Sequence, residues 1–133
     1  MSGKSHSLPI RVYYEDTDAG GIVFYANYLK FAERGRTEFL RAEGYEQKDL
    51  KDREGVLFVV RRIEAEYHKF AELDDVLTVV TEAADVRNSS FAMKQSIFRD
   101  TVLLFDMTVT LVCINLKGRP VRVPDHLKQA IAA

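Results

Sequence analysis

The chain has 133 residues, 47% hydrophobic and 29% charged, the balance of an ordinary folded domain and not of a disordered or collagen-like chain. Nineteen basic against 20 acidic residues leave a net charge of −1, without the basic excess or stripe of a nucleic-acid binder. The longest uncharged run, residues 19–29, is well short of the ~18–20 residues that a membrane-spanning helix takes.

The length suits a single domain over residues 1–133. One cysteine, Cys113, allows no internal disulfide and fits a reducing compartment. No apolar segment follows the polar first six residues, so no secretory leader and a cytoplasmic location are expected.

Residues 1–7 read as a loose polar start. Residues 8–14 are β-prone, with Ile10, Val12 and Tyr14 alternating. Glu15-Asp16-Thr17-Asp18-Ala19-Gly20-Gly21 then brings three acids and two glycines together, which marks a sharply turning loop. Over residues 25–42, Tyr28, Leu29, Ala32, Phe39 and Leu40 fall near the 3.6-residue period of a helix, and Phe31 widens that face. The slot at Gly35-Arg36 interrupts it. Glycine inside a helix costs ~1 kcal/mol against alanine, a cost that close approach of another backbone would explain. Arg34 and Glu38 stand at i,i+4, Gly44 signals the helix end, and residues 46–53 suggest a short exposed helix.

From Val56 onward the period becomes two. Leu57, Val59, Ile63, Ala65 and Tyr67 share one face with Arg61 as the exception, and Arg62, Glu64, Glu66 and His68 form the other. Asp74-Asp75 and Arg87-Asn88-Ser89-Ser90 are turns that bound a strand over 76–86. Two more strands, over 91–98 and 102–116, meet at Arg99-Asp100. Lys117-Gly118-Arg119-Pro120 ends the last of them, and residues 125–131 suggest a terminal helix. The order predicts an α+β fold: an antiparallel sheet of about five strands against one long helix. One helix leaves part of such a sheet uncovered, and residues 102–116 are apolar on both faces, so self-association is expected.

No Gly-x-Ser-x-Gly elbow, P-loop or Gly-x-Gly-x-x-Gly is present. His6, His68 and His126 lack metal-ligand spacing, so neither a metal nor a cofactor is expected. His68 reads as a solvent-facing strand residue and Cys113 as a packed thiol. What remains is Asp18, in a loop that runs into a helix. The first N–H groups of a helix lack internal partners and favour an anion or a polarised oxygen. A carboxylate beside them supplies two parts of an acyl-transfer site, one that attacks or activates water and one that holds a developing oxyanion. The plainer reading is a solvated acidic turn with an acid as cap, a role that Asp16 suits better. Composition and spacing leave both open.

The string Arg11-Val12-Tyr13-Tyr14-Glu15-Asp16-Thr17-Asp18-Ala19-Gly20-Gly21-Ile22-Val23-Phe24-Tyr25-Ala26-Asn27-Tyr28 resembles the signature of hotdog-fold thioesterases. It is closest to the YbgC-like acyl-CoA thioesterases, often associated with the Tol–Pal system, and looser in its match to the 4-hydroxybenzoyl-CoA thioesterases. Phe31-Ala32-Glu33-Arg34-Gly35-Arg36-Thr37-Glu38, Phe58-Val59-Val60-Arg61 and Leu73-Asp74-Asp75 extend the likeness over nearly the whole chain.

The resemblance implies a hotdog fold, a sheet wrapped around one long central helix, assembled as a homodimer or homotetramer with sites at the dimer interface. It implies hydrolysis of small to medium acyl-CoA esters, with coenzyme A as part of the substrate and not a cofactor, and acyl carrier protein as a further thioester donor. Asp18 would be the catalytic carboxylate, as nucleophile or general base. The Tyr25 N–H would hold the thioester oxygen, and Tyr14 would stand near the site. Gly21, Ile22, Val23, Arg87, Ser90 and Arg119 would contact substrate. The sequence departs from the YbgC-like pattern at Tyr25, where histidine is common, and at Phe70-Ala71, where Pro-Ala is usual. The turn at 87–90 has fewer basic residues than in the 4-hydroxybenzoyl branch. A non-catalytic acyl-CoA or acyl-carrier-protein binding module and an envelope-associated adaptor are the alternatives, with a hotdog dehydratase weaker still.

Overall fold

The computed structural model describes residues 4–132. Strand β1 spans Ser5–Arg11, helix α1 Asn27–Ala42, and a short helical turn α2 Gln47–Asp49 continues as a π-helical turn over Leu50–Glu54. Strands β2 (Val56–Tyr67), β3 (Val76–Ala84), β4 (Ser90–Arg99) and β5 (Val102–Asn115) follow, then helix α3 (Asp125–Ala132). The five strands form one sheet in the order β1-β3-β4-β5-β2, every pair antiparallel. This is the α+β hotdog arrangement expected from the sequence.

Helix α1 packs over β1, β3 and β4. Its apolar stripe, Tyr28, Phe31, Ala32, Phe39 and Leu40, is buried against the inner residues Leu77, Val79, Phe91, Met93 and Ile97. The glycine in that stripe is explained by close approach of side chains, not of another backbone as expected. A Cβ built on Gly35 would stand 2.7 Å from Val79 Cγ1 and 2.9 Å from Thr81 Oγ1, so only a residue without a side chain lets the helix settle this low. Gly44, at φ +92°, ends the helix in the left-handed region that glycine enters without steric cost.

Four details differ from the sequence expectation. The first strand begins at Ser5, inside the stretch read as loose, because an edge strand tolerates alternating serine and histidine when only every second residue faces the core. Helix α1 begins at Asn27, not Tyr25; a separate turn, closed by Asn27 N–H donating to Phe24 O at 2.8 Å, precedes it. Glu38 pairs with Arg41 and not with Arg34, whose guanidinium lies 5.9 Å from the Phe31 ring centroid.

The fourth is a β-bulge between Val60 and Arg62. The extra residue reverses the alternation. Leu57 and Val59 therefore pair with Ile114 and Val112 on the outer face, while Phe58, Val60, Ile63, Ala65 and Tyr67 pair with the inner residues Cys113, Leu111, Val109, Met107 and Phe105. Arg61 is the inserted residue, not an exception within one continuous face.

Candidate active site

The loop between β1 and α1 is built by local hydrogen bonds. Asp18 N–H donates to Ile22 O at 2.9 Å, and Gly21 N–H to Asp18 O at 3.0 Å. Gly21 closes this turn at φ +80°, where a side chain would be strained. The returning arm is pinned to the segment after β2: Ile22 bridges Glu72, and Val23 N–H donates to Ala71 O at 2.9 Å.

Two acids two residues apart are thereby given opposite environments. Asp16 is 4% exposed. Its carboxylate accepts from Tyr13 N–H at 2.8 Å and from the Asn27 side-chain amide at 2.9 Å, tying the loop to the first residue of α1. Asp18 is exposed, and its carboxylate accepts one hydrogen bond, from Gly20 N–H at 2.8 Å. Most of its lone pairs remain available to a substrate or a water. The structural acid is thus Asp16, as its position in the turn suggested, although it holds the Asn27 side chain and not a helix N–H.

The donors lie seven residues further on. Phe24 N–H donates to Asp16 O at 2.9 Å and Asn27 N–H to Phe24 O, and among the described residues no hydrogen bond takes up the N–H groups of Tyr25 or Ala26. The N-cap residue Ala26 makes no side-chain cap, and the first turn of α1 holds no acid. The 16-residue helix therefore presents an uncapped, electropositive end. Tyr67 fixes this segment from behind, its hydroxyl donating to Tyr25 O at 2.8 Å.

Beside it opens a cavity of about 360 Å³ lined by Ile22, Val23, Tyr25, Tyr28, Tyr67, His68, Lys69 and Phe70. Its walls are mainly aromatic and aliphatic. The ring of Tyr28 stacks on Phe105 at 5.2 Å and meets Tyr67 edge-on at 5.4 Å, and its hydroxyl accepts from Ala71 N–H at 3.0 Å. Burial raises the phenol pKa of both Tyr28 and Tyr67, so both stay neutral donors at physiological pH. His68 Nε2 lies 2.8 Å from Asp106 Oδ2 at the cavity rim. Tyr67, His68 and Lys69 are site-lining residues that the sequence reading missed. The signal available was the end of β2 meeting Ala71, but that end faces Tyr25 only because of the bulge upstream.

The remaining residues divide. Ile22 and Val23 line the cavity beside Tyr25. Tyr14 does not: its side chain is 81% exposed on a 3-10 turn over Tyr14–Asp16, and its hydroxyl has no hydrogen bond among the described residues. Arg87 pairs with Asp85 at 3.1 Å, Ser90 opens β4, and Arg119 accepts through its carbonyl from Asn115 N–H. These three stand at the other end of the sheet, since β4 runs ten residues from Ser90 to Arg99, ~30 Å of extended strand, and Arg99 reaches Phe70 O and Asp75. Within one chain they cannot share a pocket with Asp18. Cys113 is fully buried, and burial raises its thiol pKa, which suits packing and not nucleophilic attack. Among the described residues, no group of three or more His, Cys, Asp or Glu side chains is placed to hold a metal ion, and no helix is long and apolar enough to cross a membrane.

The loop thus places an exposed carboxylate with one hydrogen bond ahead of an uncapped helix start on this sheet. Comparison with known proteins shows the family. Residues 12–131 match the family model described as the Thioesterase-like superfamily. The chain is 42% identical over 131 residues to the acyl-CoA thioesterase YbgC of Haemophilus influenzae, covering 98% of this chain and 96% of that one. It is 45% identical over 121 residues to the acyl-CoA thioester hydrolase YbgC of Escherichia coli, covering 90% of each. Among solved structures, a probable thioesterase from Bartonella henselae superposes with a TM-score of 0.88 at 38% identity, over 91% of this chain and all of that one. The chain belongs to the thioesterase-like superfamily, and YbgC proteins are among its relatives.

Proposed function

We propose that the chain hydrolyses acyl-CoA thioesters to the free acid and coenzyme A, with Asp18 and the Tyr25 N–H as its two working groups. The observation that carries this reading is the pairing just described: an exposed carboxylate with one hydrogen bond in the same pinned loop that ends in unpaired N–H groups at the helix start. The thioester carbonyl oxygen accepts from Tyr25 N–H, in the field of α1, and its carbon becomes more electrophilic. Asp18 then either attacks that carbon, releasing the thiolate and leaving an anhydride that water opens, or takes a proton from the water that attacks. In both routes the C–S bond breaks, one water is consumed, and the thiolate leaves with little acid assistance because thiols ionise near ~8.5. The apolar cavity of Ile22, Tyr25, Tyr28, Tyr67 and Phe70 takes the part of the substrate next to the carbonyl. Tyr14 stands further out and contributes at most to its mouth.

We further infer that the active form contains two copies. Strand β2 is a sheet edge, and two β2 strands pairing antiparallel would set the far end of one sheet against the Asp18 end of the other. Arg87, Ser90 and Arg119 of the second copy then approach the nucleotide end of a thioester held by Asp18 and Tyr25. Dimers pairing again give a homotetramer. A cytoplasmic setting is supported by the lone buried thiol. Acyl carrier protein is a second possible donor, since the reacting bond is the same. The test is a panel of acyl-CoA esters from two to sixteen carbons, scored for free thiol. Turnover of at least one ester well above background supports the reading; saturable binding without thiol release would instead identify a binding module.

A further inference from the structure

Tyr67 is the last residue of β2 and pairs with the inner residue Phe105. Its ring meets Phe105 at 4.9 Å and Tyr28 at 5.4 Å, edge-on in both cases. Contacts on two sides of the ring fix where the phenol oxygen lies. Its hydroxyl makes one hydrogen bond among the described residues, donating to Tyr25 O at 2.8 Å.

That acceptor is one the helix leaves unused. In a regular α-helix Tyr25 O would accept from Leu29 N–H, four residues on. Here Leu29 N–H donates to Ala26 O at 3.2 Å, and among the described residues the Tyr67 hydroxyl is the one donor to Tyr25 O. The loop itself has other fastenings. Val23 N–H donates to Ala71 O at 2.9 Å and Ala71 N–H to the Tyr28 hydroxyl at 3.0 Å, which ties both the loop and the helix start to the segment after β2. What the Tyr67 hydroxyl alone sets is the orientation of one peptide plane.

That plane also carries the Ala26 N–H. The C=O and N–H of a trans peptide lie in one rigid plane and point in opposite directions, so gripping the oxygen aims the hydrogen. Asn27 N–H donates to Phe24 O at 2.8 Å, and Ala26 has φ −74° and ψ −17°, the geometry of the second central residue of a type I turn. Both central residues of such a turn have helix-like dihedrals, so Tyr25 N–H and Ala26 N–H emerge side by side from the N-terminal end of α1. Neither has an acceptor among the described residues. A hydrogen bond accepted at the oxygen also draws charge from the nitrogen, and the N–H donates more strongly.

We propose that Tyr67 is a positioning residue that acts through the Tyr25–Ala26 peptide: its hydroxyl holds the Ala26 N–H beside the Tyr25 N–H as a second donor to the thioester oxygen. This assignment rests on the thioesterase reading above and adds a second arm to its oxyanion site. Two donors match the two lone pairs of a carbonyl oxygen, on which charge grows as the tetrahedral intermediate forms. The Tyr67 hydroxyl itself gives up no proton, and burial raises its pKa.

The experiment is Tyr67→Phe, which deletes the hydroxyl and keeps the ring, measured in single turnover with butyryl-, octanoyl- and dodecanoyl-CoA. Charge on the oxygen develops in the transition state, so the loss falls on the rate and not on binding. Deleting an oxyanion donor outright costs ~10²–10³, and loosening one of two is expected to cost about tenfold or more. The factor should be the same for all three esters, with the half-saturating concentration within about threefold of the wild type and the thermal midpoint within about 2 °C. In an Asp18→Asn background, where the bound ester stays uncleaved, the carbonyl stretch of a ¹³C-labelled thioester should move to higher wavenumber when Tyr67→Phe is added, as it does when a carbonyl loses hydrogen bonding. An unchanged rate overturns the proposal and leaves the thioesterase reading intact. A penalty that appears in the half-saturating concentration, or that varies with chain length, assigns the hydroxyl to the acyl pocket and overturns it. A lowered rate with an unmoved stretch assigns Tyr67 to fastening the loop and likewise overturns it. Absence of thiol release by the wild type from every ester defeats the thioesterase reading itself, and this assignment with it.

Discussion

The two halves of the sheet are treated differently by the one long helix. Over β1, β3 and β4 the helix is pressed down until Gly35 meets Val79 and Thr81, and the inner residues of β3 and β4 are buried. Over β2 the inner face is open, with Val60, Ile63 and Tyr67 near half exposed. The covered half is where burial accumulates at ~25 cal/mol per Å² of apolar surface. The open half holds the cavity beside Tyr25. Stability and chemistry are thus separated across one sheet, and substitutions on the two sides should fail in different ways.

Asp16 gives the largest effect on the covered side. Asp16→Ala leaves Tyr13 N–H and the Asn27 amide without their acceptor, and a hydrogen bond to a charged group contributes ~1.5–3 kcal/mol. A loss of about 2–4 kcal/mol in urea unfolding is expected, with the loop detached from the helix start. A loss below ~0.5 kcal/mol, the range of an unremarkable surface change, would break the distinction between the two acids.

Gly35→Ala should cost less. Alanine gains ~1 kcal/mol in helix propensity, but its Cβ would enter space occupied at 2.7 Å by Val79 and 2.9 Å by Thr81. Overpacking of this kind costs ~1–3 kcal/mol. Val79 and Thr81 are β-branched and fully buried, so their side chains have little room to yield, and net destabilisation is expected in the same unfolding assay. A stabilised variant would show that the helix is free to lift and that the covered half is less tightly packed than it looks.

What could be read from the sequence follows the same division. The covered half was legible: a 3.6-residue stripe broken at Gly35 has a close-packing explanation, and alternating strands with short turns give antiparallel pairing. The open half was less so. A period-two reading that starts at Leu57 runs straight through Arg61 and assigns Leu57 and Val59 to the wrong face, because a bulge adds a residue that periodicity alone does not register. Everything downstream in β2, including the approach of Tyr67 to Tyr25, depends on that shift. Arg36 was visible as a gap in the stripe, yet a gap does not say whether the residue is expelled or, as found, buried with its guanidinium donating to Gln95. Asp18 was singled out by chemistry and by family resemblance. That Asp16, not Asp18, is the buried member follows from hydrogen bonds to Tyr13 and Asn27 that close only when the chain folds back. Arg87, Ser90 and Arg119 carry no signal of their distance from Asp18, since that distance is the length of a strand.

The most direct measurement is kcat/KM and thermal midpoint for Asp18→Asn on the best ester of the panel, in the same preparation. Asparagine keeps an oxygen to accept from Gly20 N–H and removes the charge. Turnover should fall by ~10²–10⁴, the usual contribution of a positioned acid or base, while the midpoint stays within about 2 °C, as for a surface change of small energy. Turnover close to that of the wild type, with the fold equally intact, would contradict the claim that this carboxylate and the helix start act together on the thioester.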